Sequence, residues 1–425
     1  MERLDYPELG ETLYYEKLDN GLEVHILPKP GFQKTYAVFS TRYGSIDSSF
    51  SINGGGKIEV PDGIAHFLEH KMFEEQDGDV FAVFAAQGAS ANAFTSFDRT
   101  AYLFSASNHI EENVETLLNF VQNPYFTDQN VDKEKGIIGQ EIQMYHDHPD
   151  SRLYYGLIEA LYVNHPIRFN IAGTVETISG ITKELLYSCY EAFYHPSNMS
   201  FFIVGGIDPT AMMEQIRLNQ QRKNHPPAPR IDRFYPDEPE RLQSPRVNIQ
   251  LPVSMPKCYF GFKEHVDVLQ PEHIYRRELE TKLLFDLLFS PSATIYRTLY
   301  DEDLISDQFG HSYQATSRYA FSIIGGETKD PDVLIERIKA LLQQAVEQGI
   351  DSSAFERLKK KRIGHYLRSL NSPEAIANEY TRYLYKGLDY FKLLQQLEPI
   401  TADDVAARLR DHVQWDRLAV AVVRS

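Results

Sequence analysis

The chain has 425 residues, of which 42% are hydrophobic and 24% are charged, and its formal net charge is −17. These values are typical of a folded globular protein of two or more domains, and they exclude a largely disordered chain. The acidic excess argues against a nucleic acid or an anionic membrane as partner, and no apolar run approaches the roughly 18 residues that a membrane-spanning helix needs.

The N-terminus and the cysteines predict a cytoplasmic location. The first residues lack a basic start followed by an apolar core, so we expect no signal peptide, which implies the cytosol or a mature form whose leader has been cut away. Cys189 and Cys258 are the two cysteines of the chain and lie in different halves. A disulfide framework is therefore not expected, and a reducing compartment is the simpler assumption.

The first element with a chemical signature is a predicted helix around the sequence HFLEH, residues 66–70. On a helix, His66 and His70 are one turn apart, so both imidazoles can reach one metal ion, and Glu69 stands beside them. Two His and a Glu in an apolar helix are costly unless they are paired or bound to a metal. The pattern is the inverted form of the HExxH zinc motif, with Glu69 as the candidate general base.

A third zinc ligand is expected further along the chain, because a catalytic zinc takes three protein ligands and keeps one open position. The helix-like run Val131–Tyr145 contains Glu134 and Glu141, seven residues apart and therefore on one helix face. At least one of the two is a candidate ligand. His146 and His148, at the end of this run, are alternative ligands, although a role in capping the helix is favoured.

The middle of the chain predicts a domain boundary. Residues 220–247 are rich in proline and charge and have no periodicity, which is typical of an extended linker. We therefore expect a zinc-binding catalytic domain over residues 1–222, a linker over 223–247 and a second domain over 248–425.

The two halves repeat each other weakly. Arg99–Val121 and Arg318–Leu342 both have the pattern of a strand, a charged turn and a helix, which predicts a duplicated α+β domain. The second half has lost the chemistry. Its counterpart of the HFLEH helix, Leu279–Phe289, has no His pair, and Lys359–Arg362 stand where the glutamates should be.

These motifs resemble the pitrilysin/insulinase class of inverzincin peptidases, in the short-chain branch related to mitochondrial and bacterial processing peptidases. The resemblance covers most of the first half. It rests on Asn20–Val24, Tyr43–Ser45, HFLEH, the segment NAFTSFDRTAY from Asn92, the segment EKGIIGQE that ends at Glu141, His165–Pro166, Gly173–Thr174 and Tyr194–Met199.

The resemblance implies a fold and a set of roles. Each of two homologous domains should be an antiparallel sheet covered by helices, and together they should form half of a clamshell. Glu141 should be the third zinc ligand and Glu134 a supporting carboxylate of the catalytic site. Residues 92–95, which are Asn92, Ala93, Phe94 and Thr95, should form an edge strand beside the zinc, to which a peptide substrate adds as an extra strand.

The chain departs from the family in its second half. Active members have an Arg and a Tyr after the first long helix of that half, where they hold the substrate and the oxyanion. Here Leu299 or Tyr300 stands at the Arg position and Ser306 at the Tyr position. The departure predicts a heterodimer in which a sister chain supplies the Arg/Tyr pair. A homodimer is less favoured, because each copy has the same gap.

The sequence thus predicts a hydrolase, a zinc metalloendopeptidase that holds one Zn²⁺ per chain and cleaves peptides or short unfolded segments. The alternative is a non-catalytic scaffold or binding subunit of a peptidase-like heterodimer. The intact HFLEH motif disfavours that alternative, because scaffold members of the family usually lose these residues.

Overall fold

The structure is a computed structural model that describes residues 1–76, 78–266 and 270–425. Its strands are β1 (Glu2–Tyr6), β2 (Glu11–Lys17), β3 (Glu23–Pro28), β4 (Thr35–Thr41), β5 (Ser49–Ile52), β6 (Ile58–Glu59), β7 (Glu74–Glu75), β8 (Gly78–Asp79), β9 (Ser90–Thr95), β10 (Thr100–Ala106), β11 (Met199–Gly205), β12 (Ile231–Arg233), β13 (Arg246–Gln250), β14 (Lys257–Glu264), β15 (Gly310–Ala315), β16 (Ala320–Glu327) and β17 (Leu418–Arg424).

The helices occur singly or in runs between these strands. They are α1 (Ile64–Lys71), α2 (Val80–Ala86), α3 (Ile110–Val121), α4 (Asp128–Asp147), α5 (Pro149–Leu161), α6 (Val175–Ser179), α7 (Lys183–Phe193), α8 (Pro209–Gln221), α9 (Pro271–Phe289), α10 (Thr294–Asp301), α11 (Pro331–Gln348), α12 (Ser352–Ser369), α13 (Pro373–Tyr385), α14 (Leu393–Leu397) and α15 (Ala402–His412).

The first compact unit contains residues 1–142, 169–235 and 369–385 and is built on a seven-stranded sheet. The strand order is β1-β2-β3-β11-β4-β10-β9, in which β3 and β11 are parallel and the other pairs are antiparallel. Strands β4 and β11 are buried along their whole length, as expected for central strands covered on both faces. Strand β9 lies at the edge of the sheet, and α1 and α2 pack next to it.

The second compact unit contains residues 143–168, 236–368 and 386–425 and has a five-stranded sheet. Its order is β13-β17-β14-β16-β15, again with one parallel pair, β13 and β17, at one end. This order repeats β3-β11-β4-β10-β9 strand for strand. The predicted α+β fold of two homologous, helix-covered domains is confirmed, and both sheets are mixed rather than purely antiparallel because each contains one parallel pair.

Each unit includes one helix from the other half of the chain. In the second unit, α5 packs on β13, β14 and β17. The helix can approach closely because Gly156 has no side chain, since a Cβ atom there would lie 2.7 Å from Ile249 Cδ1. In the first unit, α13 packs on β4 and β11, and the Tyr385 hydroxyl donates to the Ser40 carbonyl at 2.6 Å.

These compact units are not continuous stretches of sequence. Residues 143–168, from the first half of the chain, belong to the second unit, and residues 369–385, from the second half, belong to the first unit. The division of the chain into residues 1–222, 223–247 and 248–425 stays a prediction about domains along the sequence. In the part of the chain that the structure describes, no helix combines the length and the apolar character that crossing a membrane requires.

Candidate metal centre

Helix α1 begins at a glycine whose backbone conformation few other residues adopt. Gly63 has φ 95°, and a Cβ atom there would lie 2.5 Å from the Ala172 carbonyl oxygen. Glycine is therefore required both by the left-handed backbone and by the close packing of the loop before α6. The helix start is fixed in this way one turn before His66, and the apolar side chains of Phe67 and Leu68 are fully buried below it.

The structure brings His66, His70 and Glu141 together. The two imidazole rings are neighbours on α1, with their centroids 4.6 Å apart. Glu141 of α4 faces both rings: Oε1 lies 3.7 Å from His66 Nε2, and Oε2 lies 3.6 Å from His70 Nε2. One potential ligand atom from each residue lies within 4.8 Å of the others, and among the described residues no other group of His, Cys, Asp and Glu meets this criterion.

Glu134 lies one layer behind this cluster. Its Oε1 is 3.1 Å from His70 Nδ1, and an ionised carboxylate can only accept, so we assign the proton to Nδ1. That tautomer leaves the Nε2 lone pair of His70 facing Glu141. Burial acts to raise the pKa of Glu134, but the hydrogen bond from His70 and the charge of Lys71 lower it below its usual range. Burial acts to lower the pKa of His70, yet the hydrogen bond to Glu134 and three nearby carboxylates raise it.

The His66 imidazole is largely buried, with 13% of its side chain exposed. Burial and the neighbouring His70 lower the pKa of His66 to about 3, with a small opposing effect from Glu134. Its Nδ1 atom is buried and has no hydrogen-bond partner among the described residues. A neutral imidazole is the form that binds a metal, so the protonation state of His66 already suits a ligand.

Glu69 is buried beside the two histidines and points one carboxylate oxygen at the edge strand. The Thr95 hydroxyl of β9 donates to Glu69 Oε2 at 2.6 Å. Burial raises the pKa of Glu69 to about 7, and the Thr95 hydrogen bond and His70 limit this rise. A carboxylate with a pKa near neutrality is suited to accept and return a proton at physiological pH.

The predicted substrate-binding residues lie on the edge strand β9. Asn92 is exposed, and its Oδ1 accepts from the backbone N–H of Ala93 at 2.9 Å. The Arg99 guanidinium lies over the Phe94 ring, with its Cζ atom 4.9 Å from the ring centroid. Strand β9 pairs with β10 on one side only in the described sheet, so its other backbone edge is open for an added strand.

Two features of the site do not follow from the sequence pattern. Thr95 lies on the strand expected to bind substrate, but it also contacts Glu69 directly. Lys71, the last residue of α1, is fully buried, and its Nζ lies 3.6 Å from Glu134 Oε2. A lysine inside the otherwise apolar stretch that follows His70 was the available signal.

The alternative ligands stay outside the cluster. His146 is exposed, and its Nε2 accepts from Arg152 Nη1 at 2.8 Å. His148 is the residue that precedes α5, and its backbone carbonyl accepts from Arg152 N. Neither residue is part of the metal-binding group described above.

The second half has an ion pair at the equivalent place. Helices α9 and α12 occupy the topological positions of α1 and α4, and Arg362 Nη2 donates to Asp286 Oδ2 at 2.6 Å. In the region expected to hold an Arg and a Tyr, Leu299 is fully buried in α10 and Tyr300 is exposed. Ser306 lies in the following loop, where its Oγ accepts from Gln308 N.

Comparison with known proteins gives consistent matches. Residues 46–175 match the family model described as insulinase (peptidase family M16), and residues 180–362 match that of the M16 inactive domain. The zinc protease YmfH of Bacillus subtilis, described as uncharacterized, is 50% identical over 421 residues, which cover 99% of this chain and 98% of that protein. The putative zinc protease AlbF of B. subtilis is 29% identical over 52% of each chain.

A solved structure has the same fold throughout. The crystal structure of a putative M16-like peptidase from Alicyclobacillus acidocaldarius superposes with a TM-score of 0.94 at 42% sequence identity. The match covers 97% of this chain and 98% of the other.

Proposed function

This chain belongs to the insulinase family of peptidases, family M16, and we propose that it is a zinc metalloendopeptidase that cleaves peptides or short unfolded segments. The observation that carries the proposal is the convergence of His66 Nε2, His70 Nε2 and the Glu141 carboxylate on one small region. Two imidazoles and one carboxylate form the ligand set of many catalytic zinc sites.

The residues fit a zinc ion in their chemistry. His66 is neutral, and the proton of His70 is held at Nδ1 by Glu134, so both Nε2 atoms are available as ligands. With Glu141 they supply three ligands for one Zn²⁺ per chain, and Glu134 supports the orientation of His70. A bound zinc ion would make a water molecule more acidic, to a pKa of about 7, and would polarise the substrate carbonyl.

In this proposal Glu69 moves the proton. The carboxylate accepts a proton from the attacking water as the water oxygen bonds to the peptide carbonyl carbon. It then gives that proton to the amine nitrogen when the carbon–nitrogen bond breaks. Thr95, which donates to Oε2, keeps the carboxylate oriented during both transfers.

The open edge of β9 supports a way to hold the substrate. An extended peptide can pair with the backbone of residues 92–95 and so extend the sheet, which requires little of the peptide sequence. Because Thr95 of this strand also contacts Glu69, a peptide bound along β9 would lie close to the proposed base.

We further propose that full activity requires a sister chain. In this proposal, Leu299, Tyr300 and Ser306 occupy the region where active relatives carry an Arg and a Tyr, so a partner would supply the two groups that bind the substrate and the oxyanion. A similar-sized chain that carries both groups would complete the site as a heterodimer. The cytoplasmic location stays a prediction from the sequence.

Metal analysis of the purified protein tests the proposed function. We expect about one zinc per chain, and His70→Ala should lose most of it because one of three ligands is gone. His273→Ala, at an exposed position of α9, is the matched control and should keep its zinc. Full zinc content in His70→Ala would contradict the assignment. A wild-type chain that binds no zinc would favour the scaffold alternative.

A further inference from the structure

A buried lysine adjoins the proposed metal centre. The Lys71 side chain has 0% exposure, although it carries an ammonium group. Burying an unpaired ammonium costs several kcal/mol, on the order of the whole stability margin of many domains. A methionine or leucine at this helix position would avoid that cost. The presence of a lysine therefore indicates that its ammonium group makes contacts with a function.

The Lys71 ammonium lies between two carboxylates. Its Nζ contacts Glu74 Oε2 on the solvent side and lies 3.6 Å from Glu134 Oε2 on the side of the metal centre. The other oxygen of the same carboxylate, Glu134 Oε1, accepts the hydrogen bond from His70 Nδ1. The four side chains therefore form a continuous line in the order Glu74, Lys71, Glu134 and His70, with the Glu134 carboxylate held from both ends.

This arrangement restricts the rotation of the Glu134 carboxylate. Glu134 is itself largely buried, with 9% of its side chain exposed, so few waters can replace a lost partner. When the Lys71 ammonium holds Oε2, the Glu134 carboxylate keeps an orientation in which Oε1 accepts the hydrogen bond from the His70 imidazole. Without this ammonium, Glu134 keeps a single partner and can turn away from His70.

We propose that Lys71 is a positioning residue of the metal centre, which acts through Glu134 to hold the His70 imidazole in its ligand orientation. The inference rests on the proposed function and deepens it, because it extends the set of residues that determine zinc affinity. The competing explanation is purely structural: Lys71 and Glu74 are three residues apart and could simply pin the end of α1.

Zinc affinity, measured by competition with a chelator, separates these explanations. Lys71→Met should weaken zinc binding about 10-fold, at the lower end of the cost of losing an outer partner of a ligand. Glu134→Gln should weaken it by at least as much. If Lys71 acts through Glu134, the double variant Lys71→Met/Glu134→Gln should bind zinc as Glu134→Gln does, because the lysine then has no carboxylate left to orient.

The control is Lys57→Met, which removes an exposed lysine paired with Glu59 and should leave zinc affinity unchanged. Losses that add in the double variant, or wild-type affinity in Lys71→Met, would overturn the inference. If Lys71→Met does not fold, Lys71→Gln, which keeps a polar side chain in the buried position, replaces it in both the single and the double variant, and the same two outcomes decide. A wild-type chain without zinc affinity would instead overturn the proposed function.

Discussion

At the scale of single residues, neighbouring positions of α1 have different environments, which the proposed roles follow. His66 and His70 direct their Nε2 atoms toward Glu141, whereas Glu69, between them in sequence, reaches Thr95 on β9. The pKa of His66 falls to about 3 and that of Glu69 rises to about 7, both chiefly because of burial. Burial thus favours the neutral form of each, which suits a ligand and a proton carrier respectively.

The role of Glu69 can be tested without removing the metal. Glu69→Gln keeps the shape of the side chain but cannot accept a proton, so zinc should stay bound while peptide cleavage falls by roughly 10²-fold or more. Activity is measured with a quenched fluorescent peptide and zinc by metal analysis of the same preparation. Glu59→Gln, at an exposed carboxylate, is the control and should keep both. Near-parental activity in Glu69→Gln would mean that another group is the base.

At the scale of elements, equivalent helix pairs in the two units have different side chains. In the first unit, α1 and α4 present two imidazoles and a carboxylate, whose lone pairs are available to a cation. In the second unit, α9 and α12 are joined by Arg362 and Asp286, and Arg has no lone pair to offer. The second unit therefore keeps the helix arrangement, and its described residues include no group that could hold a metal ion.

The packing of α13 on the first sheet creates a buried histidine. His25 of β3 shares a hydrogen bond of 2.9 Å with the Tyr380 hydroxyl of α13, and its Nε2 has no hydrogen-bond partner among the described residues. Burial lowers the pKa of His25 to about 3. Because the pKa is depressed in the folded chain, its contribution to stability is present above the ordinary value of about 6.5 and is lost as the pH falls through about 3.

Acid titration of stability should therefore depend on His25. Between pH 6.5 and 3 the wild-type chain should lose up to about 5 kcal/mol through this group, and His25→Gln should lose less. The free energy of unfolding is followed by denaturant titration at a series of pH values. His273→Gln, at an exposed histidine, should retain the wild-type pH dependence. Equal acid sensitivity of wild type and His25→Gln would show that His25 is not buried as a neutral group.

At the scale of the whole molecule, the two units share a fold, but among the described residues only the first unit holds a candidate metal-binding group. The two sheets share one strand order, and each unit takes one helix from the other half of the sequence. Whether the chain needs a partner depends on the groups that bind the substrate and the oxyanion formed at its carbonyl. The region expected to provide these groups contains Leu299, Tyr300 and Ser306.

The proposed sister chain leads to a direct assay. The purified chain should bind zinc but cleave short flexible peptides poorly, since losing one oxyanion donor can cost about 10²- to 10³-fold in rate. Adding a sister chain with the Arg and the Tyr should restore turnover. A sister variant that lacks the Arg should restore less and is the control. Efficient cleavage by this chain alone would refute the split site. The groups to test next would then be Tyr300 and Arg297, which lies three residues before it in α10.

The sequence by itself determined the local chemistry of the site. His66, Glu69 and His70 lie within one turn and a half of helix, so their relative placement follows from helical geometry alone. The seven-residue spacing likewise placed Glu134 and Glu141 on one face of α4, and the family resemblance assigned their separate roles. The duplication was also detectable, because strand and helix periodicities are local properties of the chain.

Only the tertiary structure decided which atoms meet. The packing of α4 against α1 brings Glu141 to the two Nε2 atoms and Glu134 to His70 Nδ1, a distinction that spacing on one helix cannot make. The burial of Lys71 was likewise hidden, because a lysine is usually exposed unless its surroundings pair it. The exchange of α5 and α13 between units could not be predicted for a similar reason. Periodicity shows which helix face is apolar, whereas long-range packing decides which sheet that face covers.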